Sequence, residues 1–160
     1  ADHGLRMRLV EATEAVNAAQ KQVLVQQVCR RFGGDLRGLR FGIWGLAFKP
    51  NTNDMRQAPS LVLIADLLAA GATVAAYDPV AMDEARHELP AEGVRFATSQ
   101  TDALQGADAL LIVTEWKEFR SPDFDLIKAT LKQPVIIDGR NLYDPKLVRL
   151  MGVEYVGVGR

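Results

Sequence analysis

Residues 40–56 read RFGIWGLAFKPNTNDMR, a short apolar run and then a long polar loop. Arg40 to Leu46 is bounded by glycine and too short for a stable helix, so its apolar and aromatic residues predict a buried strand. The pattern then repeats. Further strands are predicted at Thr73 to Tyr77, Arg95 to Ala97, Ala109 to Val113, Val135 to Asp138 and Glu154 to Val156. Between them lie helical runs at Ser60 to Ala70, Val80 to Leu89, Thr101 to Gln105, Phe124 to Leu131 and Pro145 to Met151. Each is short enough to cross from one parallel strand to the next, so the fold class is α/β, a doubly wound parallel sheet of about six strands.

A different segment precedes the sheet. Leu5 to Phe32 lacks proline and places Leu24, Val25, Val28, Cys29 and Phe32 on one apolar stripe, which predicts a long helix or a broken pair. Asn17 is its weakest point, because the amide competes for backbone hydrogen bonds. Arg30 and Arg31 complement the C-terminal end of the helix dipole, and Gly33-Gly34 supplies the stop.

Composition narrows the function classes. The 160 residues are 48% hydrophobic and 24% charged, the balance of a folded globular chain rather than a disordered one. With 19 Lys+Arg against 20 Asp+Glu the net charge is -1, so no overall field draws nucleic acid or an anionic membrane. Any anion site must be local. The single cysteine excludes an internal disulfide and a multi-cysteine metal site. No apolar run approaches the roughly 18 residues of a membrane span, and a reducing cytoplasm is the expected compartment. Ala1-Asp2-His3-Gly4 opens the chain with neither Met nor a signal peptide, as a cut inside a longer protein would.

In doubly wound sheets ligands sit beyond the carboxyl ends of the strands, which gives four places to look. The first is the 12-residue stretch Gly45 to Arg56, where most such loops have about 2–6 residues. Pro50 and Pro59 restrict it, and its Asn and Asp residues favour defined turns, so it is expected to be shaped for a ligand. Lys49 supplies a mobile point charge and Arg56 a planar fork, both suited to phosphate oxygens. Phe48 either stacks on a base or sugar or closes the core beneath the loop. The second place is Asp78 in Tyr77-Asp78-Pro79, which is either a ribose-binding acid or a turn starter. The third is Thr114 to Arg120, near the expected reversal of strand order, where Trp116 and Phe119 either line a ligand or anchor the next helix. The fourth is Asp138-Gly139-Arg140-Asn141: Gly139 lets the backbone come close and Arg140 points a guanidinium into the crevice, unless Asp138 pairs with it.

Reacting groups are missing. Cys29 lies on the helical stripe, where a thiol is an inert core residue, and His3 and His87 have no visible partner. Gly42-Ile43-Trp44-Gly45 does not continue into the G-x-G-x-x-G dinucleotide fingerprint. No catalytic residue and no metal site is assigned, and the chain reads as a binding domain.

GLAFKPNTNDMR at 45–56, YDP at 77–79, TEW at 114–116 and DGRN at 138–141 together resemble the UDP-glucose 6-dehydrogenase (UDP-glucose/GDP-mannose dehydrogenase) family. The GLAFKPNT and TEW forms look more like its UDP-glucose enzymes than its UDP-N-acetylmannosamine or GDP-mannose relatives. The resemblance implies a C-terminal, Rossmann-like UDP-binding domain over residues 35–160, with residues 1–34 as the end of a central linker helix that forms a homodimer. It implies an NAD-dependent, two-step oxidation of UDP-glucose to UDP-glucuronate through a thiohemiacetal. The responsible cysteine lies upstream in a Cys-Phe-Pro context that this chain lacks, and NAD is bound mainly by an N-terminal domain. Carried over by motif, Phe48, Lys49 and Arg140 look like UDP-sugar contacts and Arg56 like an NAD contact reaching across the cleft. Asn53 stands where many relatives have Asp. The isolated chain is therefore expected to lack dehydrogenase activity. Two rival readings are a self-sufficient NAD-binding Rossmann domain and a receiver-type signalling domain, the latter lacking its acidic cluster after the first strand.

Overall fold

The computed structural model describes residues 8–159. Their apolar runs form β1 (Arg40–Trp44), β2 (Thr73–Tyr77), β3 (Val94–Phe96), β4 (Ala109–Ile112), β5 (Val135–Asp138) and β6 (Glu154–Gly157). All pair in parallel, in the order β3-β2-β1-β4-β5-β6. The order reverses between β1 and β4, which opens the crevice at their carboxyl ends. Every residue of β4 and β5 is buried, as expected of strands covered on both faces.

The crossing helices are α2 (Pro59–Ala69), α3 (Met82–Glu88), α4 (Gln100–Leu104), α5 (Phe124–Thr130) and α6 (Pro145–Leu150). Ser99, Asp123 and Asp144 cap three of them, accepting from the backbone N–H of Asp102, Leu126 and Lys146. Proline opens α2 and α6, where its missing N–H costs nothing. A Cβ on Gly42 would lie 2.7 Å from the Ala103 carbonyl oxygen, so α4 packs directly on β1. Trp44 stacks on Phe119 at 5.1 Å and donates to the Gln100 carbonyl at 2.9 Å.

Helix α1 (Arg8–Phe32) is continuous through Asn17, whose side chain is exposed and leaves the helical ladder intact. The expected stretch Leu5 to Met7, like His3, lies outside the described residues. Gly33 stops the helix at φ 92°, its N–H donating to the Cys29 carbonyl at 2.9 Å. Arg31 does more than complement a dipole: its Nε donates to Glu154 at 2.8 Å and pins α1 to β6. Two other boundaries differ from expectation for identifiable reasons. β1 ends at Trp44 rather than Leu46 because Gly45 turns out of the strand at φ 90°. α3 begins at Met82 rather than Val80 because the N–H groups of Val80 and Ala81 are held by the Asp78 carboxylate.

Candidate functional site

The site begins at the Gly45 bend. A Cβ there would fall 2.5 Å from the Thr114 Cβ, so only glycine lets β1 and β4 meet at the reversal point. Thr114 Oγ1 donates to the Ala47 carbonyl at 2.6 Å, and Ser60 Oγ to the Leu46 carbonyl at 2.5 Å. These bonds fasten the start of the long loop to β4 and α2.

Asp78 completes the fastening. It is 1% exposed; its Oδ2 accepts from Leu46 N at 2.7 Å, Ala47 N at 3.1 Å and Trp116 Nε1 at 3.0 Å. Its Oδ1 accepts from Val80 N at 2.9 Å and Ala81 N at 2.8 Å. The turn reading holds, and the ribose reading does not, because both oxygens are committed within the fold. Trp116 and Phe119 are likewise anchors, both buried, with Phe119 in a short 3-10 helix (Lys117–Arg120).

The rest of the loop is ordered by local bonds. Phe48 N donates to the Asp54 carbonyl at 2.9 Å, Asp54 N to Thr52 Oγ1 at 3.1 Å, and Ala58 N to the Met55 carbonyl at 3.0 Å, with Met55 buried below. Phe48 itself does not close the core: it is 48% exposed, a costly placement for a ring with no partner. Lys49 beside it is exposed. Arg56 is exposed and grips Asp54 through Nε at 3.0 Å and Nη2 at 2.8 Å. Those side-chain bonds, then the Arg56 N–H, hold the Asp54 carboxyl down at about 2, with Lys49 adding a smaller pull. Asn53 donates to Glu84 at 3.3 Å, which an Asp there could not do.

After β5, Asp138 is buried and accepts from Arg140 N at 2.8 Å, Leu142 N at 2.7 Å and Tyr155 Oη at 2.9 Å. It shapes the turn and does not pair with the guanidinium. That role falls to Glu115, whose Oε2 lies 2.6 Å from Arg140 Nε. The same Oε2 is shielded from solvent and meets no donor in hydrogen-bond geometry, so the contact is an ion pair. Behind the turn, Tyr143 donates to the Phe119 carbonyl at 2.5 Å, and burial, then the Asp138 charge, raises its phenol well above the usual range.

Two of the four expected residues meet. Phe48 and Arg140 line one cavity of about 290 Å³, to which α1 contributes a wall. Lys49 is not among its lining residues, and Arg56 borders a separate concavity with Glu84 and Glu88. The α1 wall carries no motif that marks it from sequence, and although Glu115 lies in the TEW motif, nothing there pairs it with Arg140. Among the described residues no group of His, Cys, Asp and Glu could hold a metal ion, and no helix is long and apolar enough to cross a membrane.

Three comparisons bear on this geometry. The sequence profile of the UDP-glucose/GDP-mannose dehydrogenase family, UDP binding domain, matches residues 42–145. A UDP-glucose 6-dehydrogenase of Rhizobium meliloti is 44% identical over 159 residues, covering 99% of this chain and 36% of the relative. One from Pseudomonas aeruginosa is 44% identical over 162 residues, covering 98% and 36%. The solved UDP-glucose dehydrogenase of Pyrobaculum islandicum superposes with a TM-score of 0.79 at 33% identity, over 97% of this chain and 33% of that one. The chain thus spans about a third of the length of the relatives it matches.

Proposed function

Because the chain belongs to the UDP-glucose/GDP-mannose dehydrogenase family, we propose that it is the UDP-sugar-binding portion of an NAD-dependent UDP-glucose 6-dehydrogenase. The observation that carries this reading is the shared cavity of Phe48 and Arg140 at the carboxyl ends of β1 and β5. A half-exposed ring offers a stacking face, and a guanidinium offers a planar fork for phosphate oxygens. Glu115 touches Arg140 at Nε, which leaves both Nη groups of the fork to the ligand. Lys49, next to Phe48 and exposed, serves as a further sugar-phosphate contact.

The residues present do not fit a second dinucleotide at the reversal point. The N–H groups of Leu46 and Ala47, which would face a pyrophosphate there, already bond Asp78, and the acid that would take a ribose is the same Asp78. This disfavours a self-sufficient NAD-binding domain. NAD belongs to the part of the protein that precedes this chain, with Arg56 reaching it from the loop after exchanging its Asp54 partner. The nucleophile belongs there too. Cys29, the one cysteine, packs half-buried against the core and is not a cavity-lining residue. Exposed Val16 on α1 suits pairing of two central helices in a homodimer.

Calorimetry tests the reading. The 160-residue chain should bind UDP more tightly than NAD, Arg140→Ala should weaken UDP at least about tenfold, and the chain alone should form no NADH from UDP-glucose. Tighter binding of NAD than of UDP would reject it.

A further inference from the structure

The cavity has a wall to which neither motif nor family profile assigns a role. Asn17, Lys21 and Leu24 of α1 face it, three residues at the spacing of one helical stripe. This wall is fixed in place. A Cβ on Gly139 would lie 2.8 Å from Leu24 Cδ1, so the helix seats on the β5 turn where a side chain is missing, and the Arg31–Glu154 pair holds its far end. Lys21 therefore lines the same cavity as Arg140 and Phe48.

Charge distribution then singles out Lys21. Among the described residues no acidic side chain lines the cavity, and the cations that line it are Lys21 and Arg140. Arg140 is already in contact with Glu115 at 2.6 Å, so at a distance that pair is close to neutral. Among the described residues Lys21 makes no ion pair, and the net positive charge at the cavity is its own. A diphosphate entering here meets both a guanidinium fork and an uncompensated ammonium.

We propose that Lys21 is a phosphate-binding residue of the nucleotide site, so that the linker helix supplies one of the two cations that line the cavity. This rests on the function proposed above. The test is calorimetry on the 160-residue chain with UDP and with uridine. Lys21→Ala is expected to weaken UDP at least about tenfold, to leave uridine within about twofold, and to keep the wild-type melting temperature, while Lys21→Arg restores most of the UDP affinity. UDP affinity within about twofold of wild type in Lys21→Ala, with Arg140→Ala still impaired, would overturn this inference and leave the site reading intact. Equal loss of UDP and uridine would also overturn it, by showing a structural effect. No saturable UDP binding to the wild-type chain would overturn the site reading and the inference together.

Discussion

Replacing Asp78 by Asn should unfasten three loops at once. The carboxylate takes three N–H donors on Oδ2 and two on Oδ1, at 2.7–3.1 Å, from the β1 loop, the β2 turn and Trp116. An amide of the same shape has one oxygen and one NH2, so in either orientation at least two buried donors face another donor. A hydrogen bond to a charged group contributes about 1.5–3 kcal/mol, and two such losses give about 3–6 kcal/mol. Against a typical total stability of about 5–15 kcal/mol this is about a fifth or more. Urea unfolding followed by tryptophan fluorescence is the assay, since Trp116 is one of the donors and the other tryptophan, Trp44, stacks on Phe119. The expected result is a large fall in the midpoint with an unchanged slope. A loss below about 1 kcal/mol would refute the idea that one carboxylate holds these loops together.

Other substitutions separate shape from binding. Gly45→Ala, which forces a Cβ to 2.5 Å from Thr114 at φ 90°, should cost about 2–4 kcal/mol in the same assay. Phe48→Ala removes a half-exposed ring, so stability should move by less than about 0.5 kcal/mol while UDP binding weakens about tenfold. The Asp54 carboxyl should titrate near 2 by NMR, and Arg56→Ala should return it toward about 3.9. Its folded value is the lower one, so whatever the exposed pair contributes is present above about pH 4 and lost as pH falls toward 2.

Much of the fold was legible because its signals are local. β2 and β5 begin and end where the sequence pattern predicts, and Pro59, Pro145 and Gly33 mark helix ends for reasons that hold in any context. Boundaries shifted where a side chain or a distant contact intervened: the Asp78 carboxylate delays α3, and the contact of Gly45 with Thr114 shortens β1. The site was half legible for the same reason. The Gly45 to Arg56 loop announced itself by length, and Arg140 by its place after β5. Which acid faces Arg140 could not be read, because Asp138 is two residues away in sequence while Glu115 arrives from the loop after β4. Lys21 was invisible because only the seating of Leu24 on Gly139 brings α1 to the cavity.

That seat makes the folding unit and the binding unit different in length. The sheet and its crossing helices follow Gly34, and a chain trimmed there for crystallisation or display would keep every strand and all four family motifs. It would also exchange a walled pocket for an open trough. Shortened versions of this protein are better cut upstream of α1.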